Sequence, residues 1–134
     1  RMAMHPSPTI ESFMTPQPMT IGLEQSLDTA ASKMRELKVR HLPVLHGGRI
    51  VGIVTERDVA LVETLPDVDP AKVRVEEAMT ADPYLVEPQT ALADVARTMA
   101  EHKYGAAVVA QGGKVVGVFT TVDACRALAT LLTT

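Results

Sequence analysis

The sequence predicts an α+β (mixed α/β) fold built from two β-α-β-β-α repeats, because nearly the same pattern of residues occurs twice. Residues 14–61 align with residues 79–126 without a gap, at a shift of about 65 positions. A unit this short buries too little apolar surface to close a large core alone. We therefore expect the copies to pack face to face, with pseudo-two-fold symmetry, into one module. A cleft between them would then be built twice, and would be the place to look for function.

In the first copy, the spacing of apolar residues and the turn-forming glycines indicate where the helices and strands lie. Apolar residues recur at helical spacing from Leu27 to Leu37, with charged residues between them. The Gly47-Gly48 pair separates two apolar runs and is typical of a tight hairpin turn. In order, the predicted elements are a turn or short helix at 10–14, a strand near 19–21, a helix at 27–37, strands at 42–45 and 50–54, and a helix at 55–62.

The second copy repeats this order after a segment rich in turn formers at residues 66–70. Its predicted elements are a strand at 84–86, a helix at 91–103, strands at 106–110 and 115–119, and a helix at 121–132. The strands are short and almost continuously apolar, so we expect helices to cover at least one face of each sheet. The domain organisation follows: a first repeat at residues 10–65, a linker at 66–74 and a second repeat at 75–132.

Composition excludes several classes of function. A formal net charge of −3, without a run of Lys or Arg, argues against a nucleic-acid surface. No apolar stretch approaches the roughly 20 residues of a membrane helix, and the first residues lack the apolar core of a signal peptide. The single Cys125 allows no internal disulfide, and the four histidines lack the spacing of a metal site. These features favour a cytoplasmic protein that binds neither a membrane nor a metal.

A segment of the form Gly-x-x-Thr-x-x-Asp stands at a strand-to-helix junction in both copies. The structural interpretation is a helix cap, in which Thr55 is the N-cap and Asp58 the third helical residue. Thr120 and Asp123 repeat this arrangement in the second copy. A capped helix start also directs backbone N–H groups and a positive dipole end outward, which favours an anion such as phosphate. The aspartate can accept hydrogen bonds from ribose hydroxyls, and the preceding glycine is expected to leave room for a ligand beside the backbone.

Three sequence features together resemble the cystathionine-β-synthase domains (CBS domains), and two of them occur in both copies. They are Met-Thr-x-x-Pro at the head of each repeat, Arg40-His41-Leu42-Pro43-Val44 before the first hairpin, and the two Gly-x-x-Thr-x-x-Asp segments. The resemblance extends over nearly all of residues 10–132. It implies a tandem module with two clefts that bind adenosine compounds such as AMP, ADP, ATP or S-adenosylmethionine. Such modules regulate rather than catalyse, and often pair into disc-like dimers.

The resemblance also implies which residues would contact a ligand. In the first site, Asp58 would hold the ribose, Thr55 would assist, and basic residues would meet the phosphates. A guanidinium is well shaped to bind phosphate through two hydrogen bonds. The predicted set for this site is Thr55, Arg57, Asp58, Arg40 and His41, with Leu85, Val86, Ala106 and Ala107 around the adenine.

The second site departs from the family pattern, since Gly105 replaces Arg40 and Val122 replaces Arg57. A di- or triphosphate would find little charge compensation there. We expect this site to be weak, empty or selective for a less charged adenosine compound. The predicted set is Thr120 and Asp123, with Thr20, Ile21, Leu42 and Val44 around the base.

Simpler interpretations stand beside these assignments. Arg57 on a first helical turn can be merely solvated, and His41 can be a half-buried histidine satisfied by backbone. His5, His46 and His102 are expected at the surface, and Glu36 and Glu101 on a solvated helix face. Cys125 is expected to be a small buried residue. The methionines at matched positions are expected to fill the core, namely Met14, Met34, Met79 and Met99.

Two functions from different classes remain. The chain contains no nucleophile in a recognisable setting, no metal-ligand cluster and no Gly-Lys-Ser/Thr phosphate loop, so we predict that it is not an enzyme and has no catalytic cofactor. The first function is a stand-alone regulatory sensor that binds AMP, ADP or ATP between the repeats and acts on an unidentified protein. The second is a dimerisation or interaction module whose clefts no longer bind ligand. The apolar final helix, with Ala124, Leu128, Leu131 and Leu132, supports a homodimer.

Overall fold

The computed structural model describes residues 7–133, which form eight strands and five α-helices. The strands are β1 (Thr15–Pro16), β2 (Ile21–Gly22), β3 (His41–His46), β4 (Arg49–Thr55), β5 (Thr80–Ala81), β6 (Leu85–Val86), β7 (Ala106–Gln111) and β8 (Lys114–Thr120). The helices are α1 (Leu27–Leu37), α2 (Glu56–Glu63), α3 (Val75–Ala78), α4 (Leu92–His102) and α5 (Thr121–Leu132), and short 3₁₀ turns lie at Ile10–Ser12 and Pro70–Lys72. The mixed α+β class and the predicted long elements are confirmed, with boundaries displaced by one or two residues.

The chain forms two compact units, and each unit draws on both sequence copies. One unit consists of Met19–Pro83 and is called here the Asp58 unit. The other combines residues 7–18 with residues 84–133 and is called the Asp123 unit. The N-terminal segment therefore belongs with the second copy, and the segment that opens the second copy belongs with the first.

Each unit contains a four-stranded sheet of the same design. The strand order is β2-β3-β4-β5 in the Asp58 unit and β6-β7-β8-β1 in the Asp123 unit. In each, one short outer strand is parallel to its neighbour, the central pair forms an antiparallel hairpin, and the other outer strand is antiparallel. The outer strands β1 and β5 were not predicted. They are only two residues long and are supplied by the opposite sequence copy.

The hairpin turns lie where the Gly-Gly pairs predicted them. Gly47 and Gly48 have φ values of 59° and 78°, and Gly112 and Gly113 have values of 61° and 81°. Two consecutive residues with positive φ define the turn that matches the twist of a hairpin, and glycine reaches this conformation without a steric cost.

The two hydrophobic cores are separate and are filled as the helical spacing predicts. In the Asp58 unit, Leu27, Met34 and Val54 are among the buried residues. In the Asp123 unit, Ile10 and Phe119 are fully buried. The core role of the methionines is confirmed: Met34 and Met99 are buried, while Met14 and Met79 are partly buried against the cores.

No helix within residues 7–133 has the length and apolar character required to cross a bilayer.

Candidate functional site

The predicted capping box at the start of α2 is present. Thr55 is the N-cap, and its Oγ1 accepts a hydrogen bond of 3.1 Å from the Asp58 backbone N–H. In return, Asp58 Oδ2 accepts a hydrogen bond of 2.8 Å from the Thr55 N–H. These reciprocal bonds satisfy two donors that every helix start leaves open. They also fix the orientation of the Asp58 carboxylate at the end of β4.

The second carboxylate oxygen of Asp58 is open. Asp58 is half-buried, and its Oδ1 accepts no hydrogen bond from any residue that the structure describes. A carboxylate oxygen can accept two hydrogen bonds, so this atom is available to a hydroxyl or amine of a ligand.

Basic side chains lie around the same junction. The Glu56 N–H donates a 2.9 Å hydrogen bond to the carbonyl of Arg40, which fixes Arg40 next to the first turn of α2. His41 is half-buried and pairs with Thr55 in the β3–β4 register. Arg40 and Arg57 are exposed, and neither forms an ion pair within residues 7–133. The structure thus brings together the five polar residues predicted for the first site.

The corresponding carboxylate in the Asp123 unit is closed by the protein itself. Asp123 is only 5% exposed, and it is the single polar residue buried to this degree in the described chain. Its Oδ2 accepts hydrogen bonds from the Thr120 N–H at 2.9 Å and the Thr120 hydroxyl at 3.2 Å. Its Oδ1 accepts from the Thr15 hydroxyl at 3.1 Å and from Arg126 Nη1 at 3.3 Å. Both oxygens of Asp123 are therefore occupied.

The Asp123 unit has no arginine at the positions of Arg40 and Arg57, and the exposed arginine beside Asp123 is Arg126, which pairs with it. The Thr121 N–H donates to the carbonyl of Gly105 at 3.2 Å, so Gly105 occupies the backbone position that Arg40 has in the Asp58 unit. Val122, at the position of Arg57, is half exposed. Glycine and valine thus stand where the first site has its two arginines.

The apolar residues predicted around the base differ in accessibility. In the Asp123 unit, Leu85 is exposed, whereas Val86 and Ala106 are half-buried. In the Asp58 unit, Thr20 is half-buried, and its carbonyl accepts a 3.3 Å hydrogen bond from Lys33. The remaining predicted side chains lie within the hydrophobic cores and present almost no surface, namely Ala107, Ile21, Leu42 and Val44.

The expectation that the motif glycines leave room for a ligand is wrong. A Cβ atom on Gly52 would lie 2.6 Å from Met79 Sδ and 2.8 Å from the Thr80 carbonyl oxygen. A Cβ atom on Gly117 would meet the side chain of Met14. The space beside each glycine is filled by the methionine that precedes the short outer strand, and at Gly52 also by the strand backbone, so glycine is required here for close packing.

The expectation for Cys125 is also wrong, because Cys125 is exposed. Within α5, the buried residues are Asp123 and Ala127, and Cys125 lies between them on the outer side of the helix. The predicted surface positions of His46 and His102 are confirmed, whereas His5 lies outside the described residues.

An open apolar groove that the sequence did not predict lies in the Asp123 unit, between α4 and α5. Its volume is about 410 Å³, and Met99, Tyr104 and Ala124 belong to its lining. Tyr104 also stacks on His102 and contacts Tyr84, with ring centroids 5.1 Å and 5.3 Å apart. None of the predicted ligand contacts lines this groove. Within residues 7–133, no group of three His, Cys, Asp or Glu side chains could hold a metal ion.

Comparison with known proteins agrees with this geometry. A model of the CBS domain matches residues 10–63 and again residues 75–130. The chain therefore belongs to the CBS-domain family and contains two CBS domains in tandem. The crystal structure of CBSX2 in complex with AMP has a TM-score of 0.82 and 28% sequence identity, covering 92% of this chain and 97% of that one.

Two sequence relatives show the range of proteins that carry such a pair. The CBS domain-containing protein YhcV of Bacillus subtilis is 29% identical over 115 residues, which are 86% of this chain and 81% of the relative. Inosine-5'-monophosphate dehydrogenase of Korarchaeum cryptofilum is 34% identical over 114 residues. That match includes 84% of this chain but only 23% of the dehydrogenase. A segment similar to this chain thus occurs within a much longer enzyme, and it makes up most of YhcV.

Proposed function

We propose that this CBS pair is a non-catalytic regulatory module that binds an adenosine nucleotide at Asp58. The observation that carries the proposal is the open Oδ1 of Asp58 next to two arginines that have no ion-pair partner within residues 7–133. The carboxylate would accept hydrogen bonds from the ribose hydroxyls. Arg40 and Arg57 would neutralise the phosphate, and Thr55 and His41 would complete the polar contacts. AMP, ADP and ATP are the proposed ligands, with S-adenosylmethionine as a further adenosine compound.

The comparison with CBSX2 supports this ligand class, because that related structure contains AMP. Of the apolar residues predicted around the base of the first site, Leu85, Val86 and Ala106 are the accessible members. A ligand that binds one conformation of the module more tightly than another shifts the equilibrium between the two conformations by that difference in affinity. A regulated protein can detect this shift.

Thermal unfolding with AMP, ADP, ATP and S-adenosylmethionine tests the proposal. A ligand at about 100 times its Kd stabilises the folded state by roughly 2.7 kcal/mol. Asp58→Ala should abolish this stabilisation, whereas Asp28→Ala, at an exposed position in the first turn of α1, should retain it. The substitution Asp123→Ala should weaken ligand binding less than Asp58→Ala. The absence of any shift with all four compounds, or equal losses in the two aspartate variants, would contradict the assignment.

A second candidate function is homodimerisation through α5, with or without ligand. The outer side of this helix exposes Val122, Leu128 and Leu132, which are 50%, 59% and 75% exposed. Exposed apolar residues grouped on one helix are typical of an interaction surface. Sedimentation of the wild-type chain should then show a dimer that Leu128→Glu dissociates. Leu65→Glu, at an exposed leucine after α2, is the matched control and should leave the dimer intact.

A further inference from the structure

The two sequence copies differ at one position that contacts the motif aspartate. Three residues after Asp123 stands Arg126, and three residues after Asp58 stands Leu61. Residues three apart on a helix lie on the same side, and Arg126 Nη1 lies 3.3 Å from Asp123 Oδ1. The Leu61 side chain offers no donor, and Asp58 Oδ1 accepts no hydrogen bond from residues 7–133. The fully hydrogen-bonded carboxylate of Asp123 is therefore followed by an arginine, and the carboxylate of Asp58, which has an open oxygen, is followed by a leucine.

The outer strands β1 and β5 carry the same residue type at equivalent positions, so their sequence does not explain why only Asp123 is closed. Thr15 on β1 and Thr80 on β5 are equivalent residues in the two copies, and both are exposed. The Thr15 hydroxyl donates to Asp123 Oδ1, whereas no hydrogen bond joins Thr80 to Asp58. Both units thus contain an equivalent threonine on the outer strand. Only in the Asp123 unit, which contains Arg126, do both carboxylate oxygens accept hydrogen bonds.

The arginines near the motif aspartate also differ between the two units in what they can neutralise. In the Asp58 unit, Arg40 and Arg57 form no ion pair with any residue between 7 and 133, so we take their charge to be available to a phosphate. In the Asp123 unit, those positions are Gly105 and Val122, and the arginine that is present faces the carboxylate itself. A ribose that approached Asp123 would have to displace Arg126 and Thr15, and would find no arginine at the positions of Arg40 and Arg57.

We propose that Arg126 is an internal substitute for ligand that closes the second of the two duplicated sites, and so sets the stoichiometry at one nucleotide per chain. This inference rests on the proposed binding of an adenosine nucleotide at Asp58. Arg126 is then a specificity-determining residue, since it selects which of two nearly identical Thr-Asp boxes accepts a ribose. Replacing Arg126 by the residue found in the first copy should open the second site. Placing arginine in the first copy should close the first site.

An ordinary surface ion pair of the same spacing provides a matched control. Arg97 Nη1 lies 3.1 Å from Asp94 Oδ1 on α4, also three residues apart. In that pair both side chains are well exposed, at 65% and 67%, whereas in the second pair Arg126 is 73% exposed and Asp123 only 6%. Arg97→Leu removes the same type of charge and contact from the same unit, without touching a Thr-Asp box.

The experiment is isothermal titration with AMP of the wild-type chain and of Arg126→Leu, Leu61→Arg and Arg97→Leu. Arg126→Ala accompanies Arg126→Leu, because it adds less apolar surface to α5. Unfolding curves and amide spectra check that each variant is folded. The wild-type chain and Arg97→Leu should bind one AMP. Arg126→Leu and Arg126→Ala should bind two, with the second site gaining about tenfold or more in affinity. Leu61→Arg should lose about tenfold or more at the first site.

The outcomes separate this inference from the proposed function. One AMP bound by the wild-type chain and still only one by both Arg126 variants overturns the inference and leaves the proposed function standing. Two sites of equal affinity in the wild-type chain do the same. No binding to the wild-type chain, with one AMP bound by the Arg126 variants, overturns binding at Asp58 but supports the role of Arg126. No binding by any variant overturns both.

Discussion

The Thr15 hydroxyl donates a hydrogen bond of 3.1 Å to Asp123 Oδ1, although the two residues are 108 positions apart in the chain. Thr15 lies on β1, the outer strand that the N-terminal segment contributes to the sheet of the second copy. The same segment continues this attachment through hydrogen bonds of the Ile10 N–H to the Thr90 carbonyl and of the Leu92 N–H to the Pro8 carbonyl. Residues 8–15 are thus attached to the second copy within one unit, and the motif aspartate is part of the connection.

This exchange of segments predicts that Ile10 stabilises the second copy, not the first. Ile10 and Val75 are equivalent residues and both are fully buried, but Ile10 lies in the Asp123 unit and Val75 in the Asp58 unit. Ile10→Ala should cost about 3 kcal/mol and Val75→Ala about 2 kcal/mol, from lost burial and the cavity left behind. In hydrogen exchange, Ile10→Ala should reduce protection in β7 and β8, and Val75→Ala in β3 and β4. Reduced protection in the opposite strands would contradict the assignment of the segments.

The contacts of Gly52 and Gly117 predict that replacing each by alanine lowers the stability of the fold by a different amount. In Gly52→Ala, the new methyl group meets both the Met79 side chain and the backbone oxygen of Thr80, so the strands must separate. In Gly117→Ala, the nearest atoms all belong to the flexible side chain of Met14. Overpacking costs about 1–3 kcal/mol, and we expect Gly52→Ala near the upper end of that range and Gly117→Ala near the lower end.

Urea denaturation of the single and double variants checks this prediction. Met14→Ala should partly restore the stability of Gly117→Ala, because it removes the clashing side chain. Met79→Ala should restore much less in Gly52→Ala, since the Thr80 carbonyl remains. Equal rescue of the two glycine variants would show that the backbone contact at Gly52 is unimportant.

The long elements could be predicted because local sequence determines them. The apolar spacing from Leu27 to Leu37 fixes one face of α1, and the Gly-Gly pairs select hairpin turns of one type. The capping boxes at Thr55 and Thr120 were likewise predictable, since both partners of each bond lie within four residues.

The features that the sequence did not reveal depend on contacts distant along the chain. The strand at Thr15–Pro16 is two residues long and contains proline, so it carries no strand signal of its own. The repeat alignment shows which segments are alike but not which ones pair, and the exchange of outer strands therefore went unpredicted. The closure of Asp123 depends on Thr15 for the same reason. The error at Cys125 has another cause: α5 buries Asp123 and exposes Leu128 and Leu132, so the polarity of its residues does not identify the buried side.

The phosphate contact proposed for Arg40 predicts a dependence on ligand charge. Removing a charge-assisted hydrogen bond costs about 1.5 kcal/mol or more, which is about tenfold in Kd. Arg40→Ala should therefore weaken AMP about tenfold, ATP at least as much, and adenosine very little. Titration calorimetry at two salt concentrations measures these affinities, and the loss for AMP should shrink at high salt. Arg49→Ala, at an exposed arginine that begins β4, is the control and should leave all three affinities unchanged. A uniform loss for adenosine and the nucleotides would assign Arg40 to the fold instead of the phosphate.

The exposure of Cys125 predicts how the chain reacts with a thiol reagent, and the same measurement reports on the proposed dimer. The thiol is the only one in the chain, so the signal from Ellman's reagent comes from one site. At low protein concentration, Cys125 should react at nearly the rate of the unfolded chain, because it is exposed on α5. Val122 and Leu128 are exposed on the same helix, so a dimer formed through these residues would cover the thiol. The reaction should then slow as protein concentration rises, and Leu128→Glu should remove this dependence. A slow reaction at every concentration would contradict the exposed position of Cys125, and a fast one at every concentration would contradict a dimer through α5.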